Sequence, residues 1–331
     1  MTIVPRTQLP LLVCALIPAD STTDAVLGAL GCRIQRGRKG NVVGRFENVT
    51  VLPVFHNDID VHMILASDGV VLVIDGNQGV SPAVIDTWRE LKDWDVPRHL
   101  GVLNSVTGRA DFDEVIAIGE RVLDDAMMVR YLPVENDASD GVDGMYDILT
   151  SELHVLSTEG ISIRSSDPEH VALTADKREV LIEDIAHHSQ SDVLFDALTT
   201  GMPMSIPALE AAWNTPGIVS ATPLDDNVGV NVLAAWYATL DARWLPTVNQ
   251  GDVTFSVDET SDSLGIGIAK NMARVWNNNR QTWFERVHGK HSPVTTDDCN
   301  VLGAVCFAVG IAAGDTLRPQ HSDYLVREPR F

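Results

Sequence analysis

The residues whose types could support chemistry are few and scattered. Arg33, Arg36, Arg38, Lys39 and Arg45 stand close together with no acid among them, a local positive patch of the kind that contacts RNA phosphates. A solvated basic loop accounts for the same residues without a ligand, and the sequence leaves both readings open. Asp20, Ser21, Thr22 and Thr23 are types that cap helix N-termini, because their side-chain oxygens accept hydrogen bonds from the first N–H groups of a helix. His187 and His188 are adjacent, and neighbours on a helix point about 100° apart, so they do not chelate one metal ion together and read as surface side chains. Cys14, Cys32, Cys299 and Cys306 form no Cys-x-x-Cys pair and have no histidine at zinc spacing. Reduced core thiols are the expectation, with no metal. Gly265-Ile-Gly267-Ile-Ala-Lys270 lacks the third glycine of a dinucleotide loop, and the chain has no Gly-x-Ser-x-Gly elbow, no His-Glu-x-x-His helix and no intact Walker loop.

Composition narrows the classes further. A chain of 331 residues, 45% apolar and 21% charged, supplies a sizeable core and reads as two domains. With 24 bases against 46 acids the formal net charge is -22. That charge repels nucleic acid at long range, which argues against a DNA partner and confines any RNA contact to a local patch. No apolar run reaches the roughly 18 to 20 residues that span a bilayer, so no membrane partner is expected. Prolines interrupt the first residues, and Leu11–Leu16 reads as a buried strand instead of a secretory leader. The expected location is the cytoplasm.

The elements that must position these residues follow from apolar patterning. Short apolar runs at Leu11–Leu16, Val49–Val54, Val70–Ile74, Leu100–Leu103 and Val129–Pro133 alternate with helical stretches at Thr23–Leu30, Ala83–Trp94 and Asp113–Asp125. This is the signature of β-α-β units around a doubly wound parallel sheet. From Asp176 the stripe Val180, Leu181, Ile185, Val193, Leu194, Ala197 and Leu198 has helical spacing, and a further helix is expected around Ala208–Trp213. After Pro246, short strands at Val253–Val257 and Ala304–Ala308 and a turn at Ala313-Gly314-Asp315 point to a small all-β domain, a barrel.

Three stretches carry a family resemblance. Asp68-Gly-Val-Val-Leu-Val-Ile-Asp75-Gly-Asn-Gln-Gly79-Val80, followed by Thr87-Trp88-Arg89 and Val96-Pro97-Arg98, resembles the G domain of elongation factor G. Lys177-Arg-Glu179-x-Leu181-Ile-Glu183-x-Ile185-Ala186, then Gly201, Leu209, Ala212 and Asn227-Val-Gly229-Val230, resembles that family's helical insertion. Arg274-Val275, His288-Gly289-Lys290 and Gly314-Asp315-Thr316-Leu317 are similar to the barrel that follows the G domain. The likeness runs from about residue 10 to about residue 325, with no counterpart of the family's three C-terminal domains. It implies an α/β, doubly wound P-loop-type G domain over residues 1–248, with a helical insertion at about 155–216, followed by a small β-barrel domain over 249–331.

The resemblance also assigns a nucleotide site, and that site is degenerate here. A phosphate-binding loop needs glycines, a lysine and a hydroxyl for magnesium. The corresponding run is Ala15-Leu-Ile-Pro-Ala-Asp20-Ser21-Thr22-Thr23: Ala15 and Asp20 replace the glycines, Ser21 replaces the lysine, and only Thr22 and Thr23 match. Around Leu52–Asp58, His56 falls near the family's catalytic histidine, but the aspartate and glycine that sense the γ-phosphate are missing. Asn104-Ser105-Val106-Thr107 retains the asparagine of the guanine-reading run without its aspartate, Pro223-Leu224 stands where a Ser-Ala pair is expected, and residues 33–47 are too short for the first switch. The expectation is a pseudo-GTPase with no cofactor that binds the ribosome or a translation-related protein. The alternative is a weak guanine-nucleotide binder, using GTP with magnesium, whose hydrolysis is slow or partner-dependent.

Overall fold

A computed structural model describes residues 11–36, 42–59, 64, 67–78, 80–93, 95–104, 111–123, 126–135, 142–157, 160–189, 191–215, 218–224 and 229–241, together with strand backbones at 2–3, 244–248 and between 255 and 329. Arg38, Lys39, Ser105, Val106, Thr107, Asn227, Gly265, Gly267, Lys270, Cys299, Gly314 and Asp315 lie outside the described residues. The chain divides into two compact units. One comprises Met1–Gly28, Cys32–Val70 and Leu240–Phe331, and the other Ala29–Gly31 and Val71–Thr239.

In the first unit, β1 (Thr2–Ile3) precedes β2 (Leu11–Ile17), which is apolar and buried along its whole length, as a strand covered on both faces has to be. Pro18–Thr22 turns the chain into α1 (Thr23–Ala29), which buries Val26 and Leu27. The described residues of the basic stretch that follows, β3 (Arg33–Arg36) and β4 (Val42–Phe46), form the two arms of a hairpin, antiparallel from Arg33↔Arg45 to Arg36↔Val42. Gly44 makes this hairpin possible, because a Cβ there would stand 2.8 Å from the Cys32 Cβ and 2.9 Å from a Leu27 methyl. β4 pairs antiparallel with β5 (Val49–Phe55), and β5 runs parallel to β2 from Leu11↔Val49 to Ile17↔Phe55.

β6 (Gly69–Asp75) is followed by α2 (Pro82–Asp93), whose Val84, Trp88 and Leu91 are buried, by β7 (Arg98–Leu103) and by α3 (Phe112–Leu123). The expected single strand at 129–133 is instead two strands, β8 (Met128–Val129) and β9 (Tyr131–Glu135), broken at Arg130. β9 belongs to an antiparallel sheet with β10 (Val142–Asp147), β11 (Glu152–Ser157) and β12 (Gly160–Ser165), in the order β12-β11-β10-β9. The helices of the expected helical stretch begin after these strands. They are α4 (Pro168–Leu173), α5 (Ala175–His188), α6 (Asp192–Thr200) and α7 (Ile206–Trp213).

Their punctuation follows from sequence. Ser191 and Ser205 accept from Leu194 N and Ala208 N at their helix starts, and Gly201 ends α6 with φ 67°. Leu181, Ile185, Leu194 and Leu209 pack with Tyr146, Ile148 and Leu153. Val180 and Val193, expected in that stripe, stay exposed at 57% and 75%, because each sits about 100° around its helix from a buried leucine. His187 and His188 are exposed as expected. β13 (Ser220–Pro223) and α8 (Val230–Thr239) complete this unit. The sheet order is β3-β4-β5-β2 in the first unit and β6-β7-β13-β8 in the second, with β13 parallel to both β7 and β8.

Beyond Leu240 the described backbone consists of short strands, including Trp244–Val248, Phe255–Ser256, Trp283–His288, Cys306–Val309 and Tyr324–Pro329. Their described pairings are all antiparallel.

Two polar clusters are buried in the second unit. Arg130 donates from Nε and Nη2 to Asp147 at 2.9 and 2.6 Å, and from Nη1 and Nη2 to Glu210 at 2.8 and 2.5 Å. Its side chain is 6% exposed and that of Asp147 1%. Burial by itself would lower the guanidinium pKa, and the hydrogen bonds to the two carboxylates outweigh it and raise the value. The Asp147 carboxylate also accepts from the backbone N of Leu149 at 2.9 Å. In the second cluster His99 Nδ1 lies 2.8 Å from Ser220 Oγ, and burial pushes the imidazole down to about 3.

These clusters make two expectations. Arg130→Met leaves Asp147 buried and uncompensated, and should cost about 3 to 5 kcal/mol, read as a lower urea midpoint; an unchanged midpoint would mean that the pair does not hold this unit together. His99 titrates lower folded than unfolded, so the stability it contributes is present above about pH 6.5 and is lost as pH falls towards 3. Raising the pH from 5 to 7 should therefore raise the urea midpoint more in the natural protein than in His99→Gln, and identical pH dependence in both would contradict a buried neutral imidazole.

Candidate functional site

The segment assigned to phosphate binding lies at the carboxyl end of β2, where α/β sheets present their ligands. Ala15 is fully buried inside the strand, opposite Pro53 of β5. The ladder continues past it to Ile17, whose carbonyl accepts from His56 N at 2.9 Å. The turn then closes on itself. Ser21 donates to the Pro18 carbonyl from its backbone N at 3.2 Å and from its Oγ at 2.7 Å. Val26 N donates to Thr22 O at 3.1 Å, which opens α1 with Thr22 at its cap position, and Asp20 is exposed. An anion-binding loop needs successive backbone N–H groups turned onto one point. Here the Ser21 N–H is bonded inside the turn, and the strand extends through residues that would belong to the loop.

His56 is buried at 8% exposure directly after β5. Asn104 follows β7 in the left-handed region at φ 55°, a conformation asparagine tolerates. Its carbonyl would stand 3.1 Å from a Cβ at Gly76, whose N–H donates to Leu103 O at 2.8 Å. The glycine after Asp75 is thus needed for the close passage of two backbones. Asp75 itself accepts from Asn77 N at 2.8 Å.

The basic residues separate in the hairpin. Arg33 and Arg36 are exposed on β3, and Arg36 pairs with Asp24 of α1. Arg45 is buried, donates to Thr50 Oγ1 at 2.7 Å, and has its pKa lowered by burial. It therefore supports the fold and leaves the surface patch to its neighbours. Cys14 is buried in β2, and burial pushes the half-buried Cys32 thiol up to about 12, so it stays protonated at neutral pH.

Two concavities in the second unit were not anticipated. One, of about 160 Å³, is walled by Tyr131, Trp213 and Trp236 and reaches Ser220 and Glu210. The other, about 460 Å³, is a groove between α3 and α5 over Met127, Met128 and Val129, with Asp113, Glu120, Asp176 and Asp184 at its edge. The signal for the first was present but unread: Arg130 interrupts the apolar run Met127-Met128-Val129, and a charge inside such a run calls for a buried partner. Among the described residues, no group of His, Cys, Asp and Glu is arranged to hold a metal ion, and no helix is long and apolar enough to cross a membrane.

No family model matches the chain. It is 28% identical over 150 residues to elongation factor G of Mycoplasma genitalium, a match covering 44% of this chain and 21% of that protein. It is 33% identical over 89 residues to the mitochondrial ribosome-releasing factor 2 of Drosophila yakuba, covering 27% of this chain and 12% of that one. These matches thus span less than a quarter of either curated relative. The crystal structure of a protein from Thermus thermophilus superposes with a TM-score of 0.53 at 14% identity, covering 98% of this chain and 55% of the other. That likeness establishes a shared fold. The chain is thus a mixed α/β protein around a largely parallel central sheet, weakly similar in sequence to translation factors.

Proposed function

We propose that this chain is a translation-factor-like binding module, a pseudo-GTPase that docks on the ribosome or on a translation-related protein without hydrolysing GTP. One observation carries the reading. The α/β framework is kept together with similarity to elongation factor G, while the phosphate-loop positions are occupied by a strand residue, Ala15, and by a closed turn bearing Asp20 and Ser21. Losing the ammonium contact costs about 1.5 to 3 kcal/mol, and the Asp20 carboxylate adds repulsion towards phosphate oxygens. Thr22 and Thr23 retain hydroxyls, and the Thr22 carbonyl accepts the first hydrogen bond of α1 from Val26 N. The same reading assigns residues 1–248 to a degenerate G domain and 249–331 to a barrel domain. It places the protein in the cytoplasm and makes Arg33 and Arg36 of β3 the local RNA contact, the rest of an acidic chain being repelled.

Calorimetric titration with GTP and with GDP in magnesium should give no saturable heat, and micromolar binding of either would replace this reading with that of a slow, partner-dependent GTPase. Co-sedimentation should show the protein with ribosomes at low salt, with a shallow loss as salt rises because few phosphates are contacted. Arg33→Glu with Arg36→Glu should weaken that association several-fold. Absence from the ribosome pellet at every salt concentration would rule out the ribosomal partner.

A further inference from the structure

The cavity of about 160 Å³ in the second unit is independent of the nucleotide question and has the attributes of a built site. Its volume compares with the roughly 150 Å³ that holds a benzene molecule in an engineered protein core. Three aromatic side chains, Tyr131, Trp213 and Trp236, form its walls. The Arg130 guanidinium carbon lies 5.0 Å from the Tyr131 ring centre and 5.6 Å from that of Trp213, so each ring already holds one planar cation on the face that Arg130 covers. The charge beside them is not balanced, because one guanidinium faces the two carboxylates of Asp147 and Glu210. Glu210 is 33% exposed, and each of its oxygens, after accepting from Arg130, keeps a second lone pair.

Ser220 supplies a second polar contact. His99 Nε2 is buried with no hydrogen-bond partner among the described residues, and an orphaned acceptor costs less than an orphaned N–H. The favoured tautomer therefore carries its proton on Nδ1 and donates it to Ser220 Oγ at 2.8 Å. The Ser220 hydroxyl proton is then left to donate to an occupant of the cavity.

We infer that this cavity is a binding site for a small planar aromatic cation, its ring held between the tryptophan and tyrosine walls and its N–H groups donating to Glu210. A ligand acceptor atom on the far edge would meet the Ser220 hydroxyl. Anionic ligands, nucleotides included, are disfavoured by the excess carboxylate, and a nucleotide exceeds the space.

Benzamidine is the probe, titrated into the full chain and followed by calorimetry and tryptophan fluorescence, with benzoate as the matched anion. Saturable one-to-one binding of benzamidine is expected, at least tenfold tighter than that of benzoate. Glu210→Gln should weaken it by a similar factor, but that change also loosens Arg130, so the decisive variant is Ala235→Phe. Ala235 lines the cavity from an exposed position on α8, and a ring there fills the space without removing a hydrogen bond. Ala235→Phe should keep the far-ultraviolet circular dichroism of the natural protein and lose benzamidine binding at least tenfold. Absence of saturable binding, equal affinity for benzoate, or binding unchanged in Ala235→Phe would each overturn the inference.

Discussion

The parallel ladder between β2 and β5 is the constraint on which the first unit depends. It runs without a break from Leu11↔Val49 to Ile17↔Phe55 and is extended by the His56 N–H on the Ile17 carbonyl. A backbone N–H is a single donor, so one engaged in a sheet or a turn is not also available to a phosphate. By carrying pairing past Ala15 to Ile17, the chain leaves only Pro18–Thr22 to reach α1, and Ser21 closes that short turn onto Pro18. Substituted side chains and a committed backbone thus act in the same direction. In the proposed reading either alone would weaken triphosphate binding, and together they would remove both the charge and the geometry it requires.

The second unit solves a different problem, which is how to bind a strand-and-helix insertion to the end of a parallel sheet. Arg130 stands at the break between β8 and β9 and reaches the end of β10 through Asp147 and helix α7 through Glu210. Desolvating these charges is expensive, and an apolar replacement of equal volume would often be as stable. An ion pair nevertheless specifies direction, because the guanidinium fork accepts carboxylates in its own plane only. The sheet of β9–β12 and the helices that pack on Leu153 and Tyr146 are thereby fixed in one arrangement. The cavity beside Arg130 is a consequence: fork and carboxylates hold Tyr131 and Trp213 apart where apolar side chains would have collapsed together.

How far the sequence disclosed this depends on burial. Strands covered on both faces read as continuous apolar runs, and Leu11–Leu16, Val70–Ile74 and Leu100–Leu103 fall within β2, β6 and β7. Ala83–Trp94 and Asp113–Asp125 lie within a residue or two of α2 and α3, because an amphipathic stripe marks a helix well. Half-exposed strands carry weaker marks. β3 reads Arg-Ile-Gln-Arg, and its exposed arginines resemble a loop until Val42–Phe46 pairs with it. β13, Ser-Ala-Thr-Pro, is buried yet carries no apolar run, and is held by β7 and β8 on its two sides. The partner of Arg130 on α7 is 80 residues away, a separation across which one sequence offers no pairing signal. The expected strand Leu11–Leu16 already took in Ala15 and Leu16, and the structure adds Ile17 to it, so the overlap of this strand with the run compared to a phosphate loop was legible in the apolar pattern itself.

Net charge and local contact act over different distances, and this reconciles an acidic chain with a positively charged strand. At physiological ionic strength the Debye length is about 8 Å, so the charge of -22 governs how often the protein meets a polyanion but is largely screened once surfaces touch. Arg33 and Arg36 act only within that range, and Arg36 already shares its charge with Asp24. Leu173, Val193 and Met202, by contrast, are 75%, 75% and 64% exposed, and apolar surface contributes about 25 cal/mol for each Å² removed from water regardless of salt. Salt therefore acts on the two kinds of side chain differently: it screens what Arg33 and Arg36 contribute beyond close range and leaves the burial of apolar surface unaffected.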